Sequence, residues 1–537
     1  MIQMLDCTLR DGAYIVNSNF GVAAIKGIIK KMQDANVDII ECGWLKDKEH
    51  VIGTSFYHVP QDLKQYIIAP KKNCQFVVMI DWDRYDLTAL PDCDYSSIDA
   101  IRVVFPHGKH KEGIEVARKI AQKGYHAYLQ AANTLAYSNE ELIDLADEVN
   151  QSEIESLSIV DTFGAMYYED LKRIVEVLDN HLRKDIKLGF HSHNNQQLSF
   201  ALSIFFVDWI ITNSTRNAIV DASLCGMGRG AGNATTELIA NYLNRHQLGN
   251  YDMDSIMDAI DTYMQPFLEN YKWGYSTPYF IAGVYCCHVN NIAYLINNHR
   301  TNAKDMRNII QSMSEEERRK YDYDLLEQKY IDNQSRSIDD TLALEELGKD
   351  LEGKEILLIA PGRSVTEKKT EIDKYIKEAK PTTIHVNAIS ADYPADYLFF
   401  INEGRYEYAQ NSYPDVFRET KKIVLSCITR RDTQEDLAVN FNSVIKTGWE
   451  HFDNAVIYCL RLLDRLGIKK VKLAGFDEFL PIFSESYADK NLPTISKEMD
   501  WIKVNQETKD MFRDFMLTNN SKMEIEFLTR SGFEHYE

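Results

Sequence analysis

The sequence predicts an α/β protein: an N-terminal (β/α)₈ TIM barrel with a helical extension, followed by a Rossmann-like α/β domain. Three observations predict it. Eight short apolar runs alternate with amphipathic stretches over about the first 245 residues. Acids, imidazoles and amides stand at the ends of those runs, on the rim where a barrel carries its chemistry. A fresh apolar run then ends in Ala360-Pro361-Gly362-Arg363-Ser364 and restarts the rhythm.

The eight runs are Ile2–Cys7, Val37–Cys42, Gln75–Ile80, Ala100–Phe105, His126–Ala131, Leu157–Asp161, Ile186–His191 and Ala218–Ser223. Helical patterns separate most of them, as at Ala23–Ala35, Glu112–Lys123, Asn139–Asn150 and Glu169–Leu178. A doubly wound open sheet competes, but it usually has fewer strands and needs no eighth unit. The barrel is assigned to residues 1–250. Residues 251–345 read as a helical extension and linker, with helices at Tyr251–Met264, Val284–Asn297 and Lys304–Met313 and a polar, acidic linker at Tyr330–Asp350. Strands at Glu355–Ile359, Thr383–Asn387, Tyr397–Ile401, Lys422–Ser426 and Lys470–Gly475 place the Rossmann-like domain at 350–480. Residues 481–537 form a tail with helical patches.

The 60 basic and 81 acidic residues give a net charge of −21, which argues against a nucleic-acid groove or an anionic membrane as partner. The most apolar stretch, Ser199 to Thr212, is interrupted by Asp208 and too short to span a bilayer. The start has no signal-peptide pattern, and the nine cysteines are scattered without a C-x-x-C pair. A reduced, cytoplasmic protein is expected.

His191-Ser192-His193 closes the seventh run, and residues two apart on a strand point to one side. Asp11 follows the first run. One carboxylate and two imidazoles would make a facial metal set with open positions; solvent-facing histidines capping a strand are the alternative. Arg10 suits a developing enolate oxygen or a substrate carboxylate, or an ion pair. Glu41 reads as a general base or as a partner to another site group. Asn133, which follows the fifth run, and Thr162, which closes the sixth, are candidate substrate contacts. The glycine-rich Gly226–Asn233 stretch could approach a ligand closely, with Asn233 as a further metal oxygen or a helix cap.

These residues resemble a known family. Thr8-Leu9-Arg10-Asp11-Gly12, His191-Ser192-His193 and the loop ending at Asn233 are similar to the metal-dependent lyase and condensing-enzyme superfamily of (β/α)₈ barrels. Val220–Ala234 and Ile281-Ala282-Gly283-Val284-Tyr285 resemble its 4-hydroxy-2-oxovalerate aldolase branch over roughly residues 1–320. The resemblance implies Mn²⁺ or Mg²⁺, with Zn²⁺ a further option, on Asp11, His191 and His193. It implies retro-aldol cleavage of a 4-hydroxy-2-oxo acid to pyruvate and an aldehyde, with Arg10 beside the enolate. It also leaves room for a homodimer and for a partner acylating aldehyde dehydrogenase. The aldolase branch has a proton-handling histidine three residues after the metal-binding aspartate; here that position is Tyr14, with Tyr285 as a possible helper.

The second half resembles Rossmann-like domains of bacterial glycosyltransferase-like proteins, in Ile359–Ser364, Asn387, Asp396–Phe400 and Gly475-Phe476-Asp477. Gly362 and Ser364 could hold a nucleotide or sugar phosphate through backbone amides, or form a structural turn. Two other functions stay open: Claisen condensation of an acyl-CoA with a 2-oxo acid, and a nucleotide-sugar binding or transfer module on a repurposed barrel.

Overall fold

Eight parallel strands close on themselves. They are β1 (Ile2–Asp6), β2 (Ile39–Leu45), β4 (Gln75–Asp81), β5 (Ala100–Phe105), β6 (His126–Ala131), β7 (Ser156–Asp161), β8 (Lys187–Ser192) and β9 (Ala218–Ala222), with a two-residue β3 (Phe56–Tyr57) beside β2. Their order is β1-β9-β8-β7-β6-β5-β4-β2, and Leu5↔Ile39 and Asp6↔Ile40 pair β1 with β2 to close the ring. That pairing excludes an open sheet. The computed structural model describes all residues except 72, 300, 336, 430–435, 450–453, 494–499 and 535–537.

The barrel follows from its patterning. Leu5, Cys7, Ile39, Val77, Ala100, Tyr128 and Ile219 form an apolar cluster of their own. The opposite faces of the strands pack against the surrounding helices in the large core. The most apolar stretch is one of these helices, Ser199–Asn213, which buries Leu202, Phe206, Val207 and Ile210. Among the described residues no helix is long and apolar enough to cross a membrane. A register shift between Glu41 and Trp44 loosens β2 from β4 and lets Trp44 and Leu45 pair with β3.

Met1–Val289 with Arg318–Lys320 form one compact unit, and Asn290–Glu317 with Tyr321–Glu537 a second. The helix expected at Val284–Asn297 is broken. Thr277–Val284 ends before a left-handed Cys286, and Val289–His299 begins after it. The polar linker expected at Tyr330–Asp350 is mostly helix, Tyr323–Ser335 and Thr341–Leu351, because Tyr330, Leu347 and Leu351 at spaced positions are buried.

The second unit holds a parallel sheet of β10 (Ile356–Ile359), β11 (Thr382–Val386), β12 (Tyr397–Phe400), β13 (Lys421–Leu425), β14 (Leu437–Val439), β15 (Lys470–Ala474) and β16 (Glu524–Phe527), in the order β14-β13-β12-β11-β10-β15-β16. β14 and β16 were not expected. β14 has three residues, and β16 buries no residue fully, so neither stands out as an apolar run. The tail also supplies the helix Trp501–Thr518, which packs Met511, Phe512 and Phe515 into the core.

His385 on β11 is completely buried, with Nε2 3.1 Å from the Pro394 carbonyl and Nδ1 accepting the Ser390 N–H at 3.2 Å. This pairing needs the neutral ring, and burial holds its pKa down at about 4. Unfolding releases the ring to its ordinary value near 6.5, so the unfolded chain binds more protons between those values and stability falls as pH falls. The expected loss from pH 6.5 to 4 is roughly 3 kcal/mol from this residue. It is read as declining hydrogen-exchange protection of β11 in the full chain, and a His385→Gln variant should show a flatter slope.

Candidate metal centre

β1 ends in a short helical turn, Thr8–Asp11, that tips Arg10 and Asp11 over the barrel mouth with both side chains buried. His191 near the end of β8 and His193 just beyond it project to the same place. One potential ligand atom from each of Asp11, His191 and His193 lies within 4.8 Å of the others. The two rings stand perpendicular with centroids 5.1 Å apart.

The glycine-rich loop after β9 folds onto this point. The Asn233 amide nitrogen donates to Asp11 Oδ2 at 2.7 Å, and the Arg229 backbone N–H donates to the same oxygen at 3.3 Å. Gly228 cannot be replaced here. A Cβ would sit 2.4 Å from Asp11 Oδ2 and 2.2 Å from Asn233 Nδ2. The loop's close approach is thus made to an internal carboxylate. Ala231 is fixed in turn, its N–H donating to Asn195 Oδ1 at 2.9 Å.

A chain of buried charges supports the donors. Arg10 donates through Nε to Glu41 at 2.7 Å and through Nη1 to Asp11 at 2.5 Å. Arg102 on β5 reaches Glu41 at 3.0 Å and Asp221 on β9 at 2.5 Å, and Asp221 accepts from His191 Nδ1 at 3.0 Å. Glu41 is completely buried, and its Oε2 lies between the Arg10 and Arg102 guanidiniums, where it positions Arg10. Burial pushes the Asp11 carboxyl up, but Arg10 and the two histidines outweigh it and hold it well below the ordinary carboxylate range. Burial likewise lifts Asp221, and Arg102 and His191 reverse the shift. His193 is pushed down to about 4 by burial, so at neutral pH it presents a lone pair.

The donors fit a divalent cation on three counts. His193 Nδ1 and Asn233 Oδ1 are buried with no hydrogen-bond partner. Asp221 fixes His191 through Nδ1 and leaves Nε2 as the donor, the arrangement of a carboxylate–histidine–metal relay. Three carboxylates (Asp11, Glu41, Asp221) against two guanidiniums (Arg10, Arg102) leave the cluster one negative charge in excess.

The remaining expected residues lie around this centre or apart from it. Tyr14 is 46% exposed, with the Arg229 guanidinium 4.9 Å from its ring centre and Trp44 edge-on at 6.1 Å. Thr162 shares a small pocket with Phe163, His193, Asn195, Arg229, His288 and Val289. Asn133 is left-handed and donates its backbone N–H to the Thr162 hydroxyl at 2.7 Å, so it sets the threonine. Tyr285 follows the helix Thr277–Val284, with the Arg318 guanidinium 5.8 Å from its ring centre. In the second unit the Ser364 N–H and hydroxyl both donate to Asp477, at 2.7 and 2.6 Å, and the Gly362 N–H donates to the Gly475 carbonyl at 3.0 Å. Those amides therefore serve an internal turn.

Four site residues escaped the sequence reading: Arg102, Asp221, Arg229 and His288. A lone arginine inside the apolar Ala100–Phe105 was a signal, since a buried guanidinium requires acids to meet it. Asp221 and Arg229 stood inside a quoted motif without roles. His288 carried no signal; it lies against Arg229 at 2.9 Å through Nε2, and burial and that cation push it down to about 3.

Fold and donor set define a (β/α)₈ barrel with a two-histidine, one-carboxylate centre. Residues 1–262 match the HMGL-like family model. Oxaloacetate decarboxylase of Mycobacterium tuberculosis is 26% identical over 264 residues, 48% of this chain and 74% of its own. A 4-hydroxy-2-oxovalerate aldolase 2 of Salinispora arenicola is 28% identical over 306 residues, 53% of this chain and 81% of its own. The solved HMG-CoA lyase of Brucella melitensis is 15% identical, covering 50% of this chain and 99% of its own at a TM-score of 0.40.

Asp221→Asn should lower Mn²⁺ affinity by about 10- to 100-fold by loosening the His191 ring. His193→Ala should abolish stoichiometric binding. Elemental analysis after dialysis checks both, and undiminished Mn²⁺ in His193→Ala would refute the centre.

Proposed function

We propose that the barrel is a divalent-metal-dependent carbon–carbon lyase that cleaves a 4-hydroxy-2-oxo acid to pyruvate and an aldehyde. The observation that carries this reading is the Asp11, His191 and His193 set with Arg10 beside it, all buried at one barrel mouth. The HMGL-like match and the names of the two curated relatives support it. A bound divalent cation supplies Lewis acidity toward a 2-oxo acid's carbonyl oxygen.

The chain's own residues do the rest. Arg10 has spent Nε and Nη1 on Glu41 and Asp11, which aims its fork and leaves Nη2 for the oxygen where enolate charge develops. Arg229, held by His288, puts a second cation beside Tyr14 and the small pocket, suited to a substrate carboxylate. Cleavage breaks the C3–C4 bond. Its electron pair passes to the 2-oxo oxygen, the 4-hydroxyl gives up its proton, and C3 gains one. Tyr14 is the residue placed to hold that proton; burial raises its phenol, and the Arg229 cation beside the ring offsets part of that rise.

One observation favours a second reading. A phenol is a better proton donor than acceptor near neutral pH. Decarboxylation of a 3-carboxy-2-oxo acid such as oxaloacetate breaks the bond from C3 to that carboxylate, needs the same Lewis acid and enolate stabilisation, requires no base, and asks only that C3 be protonated.

A coupled assay for pyruvate with the full chain and Mn²⁺ tests both. The proposal expects release from 4-hydroxy-2-oxovalerate or oxaloacetate above the spontaneous rate, lost on chelation and in His193→Ala. With the hydroxy acid, Tyr14→His should raise the rate severalfold and Tyr14→Phe lower it at least tenfold. Release only from oxaloacetate would select the second reading. Release from neither, with metal bound, would remove both.

A further inference from the structure

The second unit carries a cleft that the barrel chemistry does not use. From β10 the chain runs outward through β11 to β14, then returns to place β15 on the other side of β10. At such a reversal the connections leave toward opposite faces and open a crevice beyond the carboxyl ends of the strands. A solvent-open cleft of about 150 Å³ lies there. Residues just past four strands line it: Gly362 after β10, Asn387 after β11, Asn402 and Arg405 after β12, and Phe476 after β15.

One side of the cleft is electropositive. Arg405 is only 6% exposed, and its guanidinium lies 4.7 Å from the ring centre of Tyr487, which orients the fork. The helices Glu403–Ser412 and Ala455–Arg465 both begin at this wall, capped by Asn402 and Asn454. Among the described lining residues the carboxylate is Asp477, which both Ser364 donors engage, one on each oxygen. Another part of the lining is aromatic. Phe479 and Phe483 stack at 5.0 Å with their planes 28° apart, next to Phe476 and Tyr487.

A planar guanidinium beside two helix N-termini suits a phosphate group. An aromatic wall suits a flat ring, which stacks on it whatever its edge chemistry. We propose that this cleft binds a nucleoside phosphate, its phosphate at Arg405 and its base against the Phe479–Phe483 wall. The anion is read by a side chain and by helix ends, while the Gly362–Ser364 turn stays tied to Asp477.

Calorimetric titration of the full chain with AMP, GMP, CMP and UMP, in chelator to silence the barrel centre, tests the assignment. At least one mononucleotide should bind saturably below millimolar, with its nucleoside and inorganic phosphate each at least tenfold weaker. Arg405→Gln should weaken it at least tenfold. Because Arg405 is buried, Gly404→Glu provides the second arm: the nearest atom to a Cβ there is Asn402 Oδ1 at 3.9 Å, and an acid in the first turn suits the helix. That carboxylate at the cleft should also cut affinity at least tenfold without lowering Tm. No saturable binding, phosphate binding as tightly as the nucleotide, or unchanged affinity in a folded Gly404→Glu would each overturn the proposal.

Discussion

The N-terminal unit depends on one chain of buried charges, Asp11–Arg10–Glu41–Arg102–Asp221, which ends in a hydrogen bond to the His191 ring. Taking these groups out of water is expensive, and each is tolerable only because its neighbour of opposite sign is within hydrogen-bond distance. Removing a middle member strands two others. The chain runs through β1, β2, β5, β9 and β8, so it ties the closing β1–β2 pair to the far wall of the barrel. It also sets the site's electrostatics. Within the chain the acids outnumber the guanidiniums by one, and His193 Nδ1 and Asn233 Oδ1 are buried beside it with no hydrogen-bond partner, which suits a cation there.

What was legible from the sequence were features whose cause is local. A strand announces itself through neighbouring apolar residues, so the eight barrel strands were found close to their observed bounds. His191 and His193 share a strand end, and Asp11 a strand-end turn, so their convergence needed only the barrel geometry. What was missed depends on pairings distant in the chain. Arg102 meets Asp221 across 119 positions, and no local pattern encodes that partner. Glu41 illustrates the same limit from the other side. Its place at a strand end suggested a base or a partner to another site group, and only the distant Arg102 shows it buried between two arginines.

The helices within 330–350 went unseen for a different reason. Their polar residues dominate the composition, and only a few side chains per helix, such as Leu347 and Leu351, reach a core. Helical stability there comes from that narrow buried stripe rather than from average hydropathy. β16 is similar: it adds to the edge of the sheet by pairing in register with β15, from Lys470↔Glu524 to Leu473↔Phe527, with no fully buried residue of its own.

Both units place an internal carboxylate on backbone amides at a strand-end turn, and the two outcomes differ. In the barrel, the Arg229 N–H and the Asn233 amide donate to Asp11, and Arg10 adds a full charge. The carboxylate stays ionised despite burial, which is what a cation ligand requires. In the second unit, Asp477 takes the Ser364 N–H and hydroxyl, but burial is the larger effect and its carboxyl is raised. Both oxygens of that acid are taken up by the turn, while Arg405 and the two helix N-termini stand at the cleft beside it. The same kind of contact thus holds a candidate cation ligand in the barrel and a structural turn in the second unit.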